Sequence, residues 1–268
     1  MRDWLPGPGW LFVPADRPER YAKALERSDV VLLDLEDAVA PGAKAAARDA
    51  VRSLHLDVDR TVVRLNAADT AEHAADVALV REVGCRRVML AKAEDPGSVA
   101  ALAPLEVVVL AESPRGILRV AELVEPDNVI GAMWGAEDLV AGLGGSGSRT
   151  PDGTYRDVAR HARSATLIAA KSFGRLAIDS VVLDIADLDT LAAESADARA
   201  VGFDAKAAVH PSQVAGIRDA FRPAEAEIGW ARAVLAESEH HGRGVFTFRG
   251  RMVDGPVLKH AEGILRRA

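Results

Sequence analysis

Val30-Val31-Leu32-Leu33-Asp34-Leu35-Glu36-Asp37 is a short apolar run that ends in acid. A run this short and continuous reads as a strand buried on both faces, the pattern of a parallel sheet. Seven other stretches share the design. They are Leu11-Phe12-Val13-Pro14, Thr61-Val62-Val63-Arg64-Leu65-Asn66, Arg87-Val88-Met89-Leu90-Ala91-Lys92, Val107-Val108-Val109-Leu110-Ala111-Glu112, Val129 to Asp138, Ile178 to Asp184, and Ala205-Lys206-Ala207-Ala208-Val209-His210. The polar residues of these eight candidate strands fall mainly at the C-terminal ends. In a (β/α)8 barrel those ends form the active-site face.

Helical patterns rich in Ala, Arg and Glu separate the strands. They cover Ala43 to Leu54, Ala71 to Val83, Ser98 to Leu102, Ile117 to Leu123, Asp157 to Phe173 and Leu188 to Ala200. Asp16 is placed to cap a first helix, with Pro18 in its first turn. Strands alternating with helices imply right-handed βαβ units, and eight units favour a closed barrel over an open sheet. No dinucleotide fingerprint follows the first strand, which weakens the Rossmann alternative. The expected fold class is therefore α/β, a (β/α)8 TIM barrel over residues 1–222. A C-terminal extension follows over 223–268: a helix, a loop from His240 to Gly244, a small hairpin, the turn Asp254-Gly255-Pro256 and a last helix. The extension is expected to pack on the barrel or on a neighbouring subunit. Gly142 to Gly153 reads as a mobile Gly-rich loop on the active-site side. It lacks the Gly-Lys-Ser/Thr ending of a phosphate loop.

The 268 residues suit one barrel, with 49% hydrophobic and 27% charged content. A net charge of −7 argues against nucleic acid as the main partner. The single cysteine, Cys85, leaves no intrachain disulfide framework and fits a reducing compartment. No signal peptide is visible and no apolar run is long enough to span a membrane. The expectation is a cytoplasmic protein with no membrane partner.

Glu112 and Asp138 end the fifth and sixth candidate strands, side by side at the mouth in a barrel. Two such carboxylates form a minimal Mg²⁺ site; alternatively, each caps a helix or pairs with an arginine. Asp34, Glu36 and Asp37 form an acidic group that needs a cation, water or an arginine beside it. That group can hold metal-bound waters, supply a base, or form salt bridges. Arg64 ends the third strand, where a guanidinium fork suits a substrate carboxylate or an ion pair with Glu36 or Asp37. Asn66, Lys92 and Lys206 are weaker candidates of the same type. His210 suits acid–base work or a hydrogen bond within its own loop. Arg17, Arg20 and Lys23 can meet the phosphates of an anionic cofactor or form a solvated helix face. Trp4, Trp10, Trp134 and Trp230 form no stripe and are assigned to packing.

Taken together, these motifs resemble the citrate lyase β-subunit-like branch of the HpcH/HpaI aldolase superfamily. The specific segments are Leu33-Asp34-Leu35-Glu36-Asp37-Ala38-Val39, Val63-Arg64-Leu65-Asn66, Glu112-Ser113-Pro114-Arg115-Gly116, Trp134-Gly135-Ala136-Glu137-Asp138-Leu139, Gly202-Phe203-Asp204-Ala205-Lys206 and His210-Pro211-Ser212-Gln213. The resemblance runs from Leu11 to Val257.

It implies a TIM barrel, often a homotrimer, that cleaves a carbon–carbon bond in a short carboxylated 3-hydroxyacyl-CoA (citryl, malyl, citramalyl or 3-hydroxy-3-methylglutaryl) to an acyl-CoA and a keto acid. By resemblance, Glu112 and Asp138 are the Mg²⁺ ligands, Arg64 holds the substrate carboxylate, and Glu36 and Asp37 are the acidic pair beside the metal. Asp254 matches an aspartate that enters the neighbouring subunit's active site. Backbone N–H groups near Gly135-Ala136-Glu137 would hold the thioester enolate oxygen, and Asp37 or Asp254 would move the proton. One departure is that Gly7-Pro8-Gly9-Trp10 stands where the family often has an Arg-Ser pair that helps hold the cofactor end of the thioester. This leaves free CoA and a carrier-protein thioester both open. The rival readings are an aldolase on free 2-oxo acids and a non-catalytic subunit of a citrate lyase-like assembly.

Overall fold

In the computed structural model, which describes residues 4, 6–242 and 244–268, the apolar runs form eight parallel strands. These are β1 (Gly9–Pro14), β2 (Val30–Asp34), β3 (Thr61–Leu65), β4 (Arg87–Leu90), β5 (Glu106–Ala111), β6 (Val129–Trp134), β7 (Leu176–Asp179) and β8 (Ala205–Ala208). Each pairs with the next, and β1 pairs with β8 to close the barrel. The (β/α)8 expectation therefore holds. β7 starts earlier than the apolar run suggests, at Leu176. Most strands stop short of their polar residues, so Glu36, Asn66, Lys92 and Glu112 fall in the loops just beyond.

Strand side chains alternate between the barrel interior and the surrounding helices. The interior set includes Trp10, Val30, Leu32, Val62, Met89, Val108, Leu110, Ile178, Ala205 and Ala207, with Phe12 packed against it. A register shift between Val107 and Val108 pairs Val107 with Val129 but Val108 with Gly131. The irregularity lets both Ile130 and Met133 join the interior. The opposite set, with Leu33, Val63, Leu90 and Val109, is also fully buried, so the runs read as continuously apolar. Stepping the interior set forward by two residues arrives at Asp34, Arg64, Glu112, Ser180 and Val209. All five line one cavity.

The helices are α1 (Tyr21–Arg27), α2 (Lys44–Arg52), α3 (His73–Glu82), α4 (Pro96–Ala100), α5 (Pro114–Leu118), α6 (Val120–Leu123), α7 (Ala136–Gly142), α8 (Asp157–Ser172), α9 (Leu188–Val201), α10 (Pro211–Phe221), α11 (Glu225–His240) and α12 (Gly255–Arg266). The segment read as one helix from Ile117 to Leu123 is instead α5 and α6, broken at Arg119. Asp16 does not cap the first helix. A 3-10 turn over Pro18–Arg20 comes first, so the α-helix begins only at Tyr21 and Asp16 lies too far back.

The chain divides into two compact units, Met1–Arg218 and Asp219–Ala268. The second unit has its own core, in which Ile228, Ala231 and Val234 of α11 meet Leu258, Ala261 and Ile264 of α12. Phe246 of β9 (Phe246–Phe248) and Val253 of β10 (Arg251–Val253) join it. Arg249 and Gly250 both have positive φ, 48° and 76°, as a two-residue hairpin turn between right-twisted strands requires. Arg243, which falls in the segment read from the sequence as a loop, lies outside the described residues.

Candidate active site

The cavity at the C-terminal mouth of the barrel has a volume of about 370 Å³. Its apolar lining is Phe12, Leu110, Met133, Val181, Leu183 and Val209. Its charged lining is Asp34, Asp37, Arg64, Glu112, Glu137 and Asp138, and Gly135 and Ala136 also border it. An apolar body with a few convergent charged groups is the usual form of a small-molecule site.

Glu112 follows β5 and is 3% exposed. Its Oε1 accepts a hydrogen bond from the Lys92 backbone N–H at 3.0 Å. Burial pushes the Glu112 carboxyl up to about 8; the charges of Asp138 and Glu36 add to the rise, while Arg64 and Lys92 oppose it. A buried carboxylate in this setting favours a proton or a further cation. Asp138 stands in the first turn of α7, on the same cavity. Among the described residues no group of three or more His, Cys, Asp or Glu is arranged to hold a metal. Two carboxylates are what Mg²⁺ typically takes from a protein, since it keeps several waters and takes other ligands from the substrate.

Arg64 is buried, and its fork faces Asp34, its register partner on the neighbouring strand. Nε donates to Asp34 Oδ1 at 2.7 Å and Nη2 to Oδ2 at 2.5 Å. Nη1 lies 3.0 Å from Glu36 Oε2. The guanidinium also sits over the Phe12 ring, 5.0 Å from its centroid. The ion pair foreseen with Glu36 is present, but the bidentate partner is Asp34. Arg64 still borders the cavity.

Glu36 is buried between Arg64 and Lys92 and lies outside the cavity lining, whereas Asp37 is part of it. Burial raises the Glu36 carboxyl despite both cations. Burial would raise Asp37 too, but the hydrogen bond and charge of Lys92 outweigh it and hold Asp37 below its ordinary value. Lys92 adopts a left-handed backbone, φ 48°. Such strain in a non-Gly residue costs about 1–3 kcal/mol and persists where the surroundings over-determine it.

Gly135 has an ordinary extended backbone, φ −123° and ψ 125°, and offers no side chain to cap α7. A Cβ there would stand 2.8 Å from both Cβ and Oε2 of Glu112. The Gly-rich segment after α7 is tethered at two points. Ser148 Oγ donates to Glu137 Oε1 at 2.5 Å, and Arg149 Nη1 donates to Glu194 Oε1 at 2.6 Å.

Behind the strand ends lies a buried charged network that the sequence did not reveal. Asp179 accepts from Trp134 Nε1 at 2.8 Å, Arg163 Nε at 3.0 Å and Lys206 Nζ at 3.2 Å. Burial raises its carboxyl, but Lys206 and Arg163 outweigh this and hold it below its ordinary value. Lys206 also reaches Glu194 at 3.4 Å. Asn66 is likewise structural: with Lys44 and Asp76 it fixes the loops after β2 and β3. His210 bonds locally, to Ser212 at the start of α10. Arg17, Arg20 and Lys23 are exposed. Asp254, in the second unit, caps α12 by accepting from the Val257 N–H at 3.4 Å.

The model of one protein family, HpcH/HpaI aldolase/citrate lyase, matches residues 9–211, a span that contains every strand of the barrel. The chain belongs to this family. Within it, the chain is 55% identical over 262 residues to the citrate lyase subunit beta-like protein of Mycobacterium tuberculosis, covering 98% of this chain and 96% of that one. It is 30% identical over 299 residues to the mitochondrial citramalyl-CoA lyase of Rattus norvegicus, covering 99% and 87%. Its fold superposes with a TM-score of 0.94 on a crystal structure of the protein CitE from Mycobacterium tuberculosis in complex with magnesium, acetoacetate and coenzyme A. The identity there is 55%, over 98% of each chain.

Proposed function

We propose that this protein is a Mg²⁺-dependent carbon–carbon lyase that cleaves a short carboxylated 3-hydroxyacyl-CoA thioester to an acyl-CoA and a keto acid. The observation that carries this reading is the pairing of Glu112 with Asp138 on a cavity that is otherwise half apolar. Two carboxylates, one of them buried and short of positive charge, fit a hard divalent cation. The similar protein crystallised with magnesium, acetoacetate and coenzyme A, and the relative named citramalyl-CoA lyase, point to the same metal and substrate class.

When bound, Mg²⁺ supplies Lewis-acid polarisation of the keto-acid oxygens. The chain's own residues do the rest. Arg64 holds the substrate carboxylate with the N–H groups that Asp34 and Glu36 leave free. Asp37, kept ionised by Lys92, accepts the 3-hydroxyl proton. As that O–H bond gives up its proton, the C3 oxygen becomes the keto-acid carbonyl and the C2–C3 bond breaks. Its electron pair moves to the thioester, and backbone N–H groups around Gly135-Ala136-Glu137 hold the resulting enolate oxygen. A carboxylic acid then protonates C2, and Asp254 of a neighbouring subunit in a homotrimer is our candidate. We place the reaction in the cytoplasm, because Cys85 is an unpaired buried thiol. Among the described residues no helix is long and apolar enough to cross a membrane.

A screen of citryl-, malyl-, citramalyl- and 3-hydroxy-3-methylglutaryl-CoA with Mg²⁺, read as keto-acid release, tests the assignment. At least one thioester should turn over. Cleavage of free hydroxy acids with no turnover of any thioester would favour an aldolase instead.

A further inference from the structure

Lys92 meets all four carboxylates proposed for the metal-side chemistry. Its backbone N–H donates to Glu112 Oε1 at 3.0 Å. Its ammonium donates to Asp37 Oδ2 at 2.8 Å and to Glu36 Oε1, and lies 3.6 Å from Asp138 Oδ1. Both reaches come from one residue because its backbone is left-handed, φ 48°. The next residue, Ala93, returns to the sheet by donating its N–H to Leu110 O at 3.2 Å. A surface lysine has no need of a strained backbone to meet an acid. Here the strain turns the N–H towards one carboxylate while the side chain spans the others.

We propose that Lys92 is a positioning residue that serves as a tethered counter-cation of the acid cluster. Its N–H fixes Glu112 and leaves Oε2 for the metal. Its ammonium holds Glu36 and Asp37 apart from the metal ligands and weakens the pull of Asp138 and Glu112 on a divalent ion. The metal is thereby held less tightly than four carboxylates alone would hold it. The inference rests on the metal reading of Glu112 and Asp138 given above.

Electrostatics fixes the sign of the test. Removing a positive charge beside the ligands strengthens their attraction for a second cation. Mere damage to the site would weaken binding. Mn²⁺ titrated into the metal-free protein, followed by calorimetry and by the free-ion electron paramagnetic resonance signal, reads affinity without any turnover. Lys92→Gln should bind Mn²⁺ roughly threefold or more tightly than wild type. Lys92→Arg, which restores the charge, should return to the wild-type value. Lys171→Gln removes a lysine paired with Asp204 and should change nothing. If Lys92→Gln does not fold, Lys92→Met, which keeps more of the aliphatic stem, carries the same expectation. Unchanged or weaker binding in the charge-removed variant overturns the role of Lys92. Wild-type protein that binds no Mn²⁺ overturns the metal reading itself.

Discussion

Replacing Gly135 by alanine adds one methyl group and should disable the site. The backbone at Gly135 is extended, φ −123° and ψ 125°, so alanine adopts it without strain. Any effect must come from the new Cβ, which would stand 2.8 Å from both Cβ and Oε2 of Glu112. Ordinary contacts begin at 3.4 Å, so the two residues must separate by 3.4 − 2.8 = 0.6 Å. Glu112 cannot simply swing aside: its Cβ sits on the buried residue directly after β5 and its Oε1 is held by the Lys92 N–H. Metal–ligand distances tolerate only about 0.2 Å of error. Disturbing what orients a ligand costs about 10–100-fold in metal affinity, or roughly 1.4–2.7 kcal/mol. Overpacking should cost a further ~1–3 kcal/mol of stability. Calorimetric titration with Mg²⁺, a thermal melt and kcat/KM on the cleaved thioester together read the change. Wild-type metal affinity and kcat/KM in Gly135→Ala would show that Glu112 is not held where the metal argument needs it.

Arg64→Lys keeps the charge but loses the fork, so kcat/KM should fall by about 2–4 kcal/mol. Because the fork also holds buried Asp34, the melting temperature should fall with it; an unchanged kcat/KM on a carboxylated thioester would remove Arg64 from substrate binding. Asp179 is held below its ordinary carboxyl value, so its stabilisation is complete above the unfolded-state value near 4 and is lost as pH falls through the lower folded value. Asp179→Asn should cost about 3–5 kcal/mol at pH 7, by leaving buried Lys206 and Arg163 short of a partner, and should flatten the acid side of a urea-midpoint profile. Asp254→Ala and Glu112→Gln should each be nearly inactive alone, yet mixed oligomers of the two should recover a clear fraction of activity. Inactive mixed oligomers would count against Asp254 acting on a neighbour, and a fully active Asp254→Ala would remove it from catalysis.

The barrel was legible because β2, β3 and β5 are apolar on both sides, so length and continuity alone identify them. Arg64 and Glu112 stand out in the sequence because each ends an apolar run, and they, like Asp34, continue the interior set of their strands by two residues. The Asp34–Arg64 fork was not read, although the two are register partners. Register between strands thirty residues apart leaves no mark in either strand. The left-handed turn at Lys92 has no sequence signal either, since neither glycine nor asparagine announces it. Asp16 misleads because an acid shortly before a proline resembles a cap, whereas Pro18 opens a 3-10 turn with no buried residue and the α-helix begins only at Tyr21. The network around Asp179 was hidden because Trp134, Arg163, Glu194 and Lys206 come from four separate elements.

Metal-coupled keto-acid release is the decisive measurement. With Mg²⁺ and a carboxylated 3-hydroxyacyl-CoA, the wild-type protein should yield keto acid and acyl-CoA in equal amounts, and excess EDTA should abolish the reaction. Glu112→Gln and Asp138→Asn should be folded and inactive under the same conditions. Full activity in excess EDTA, or in either variant, would contradict a metal held by Glu112 and Asp138.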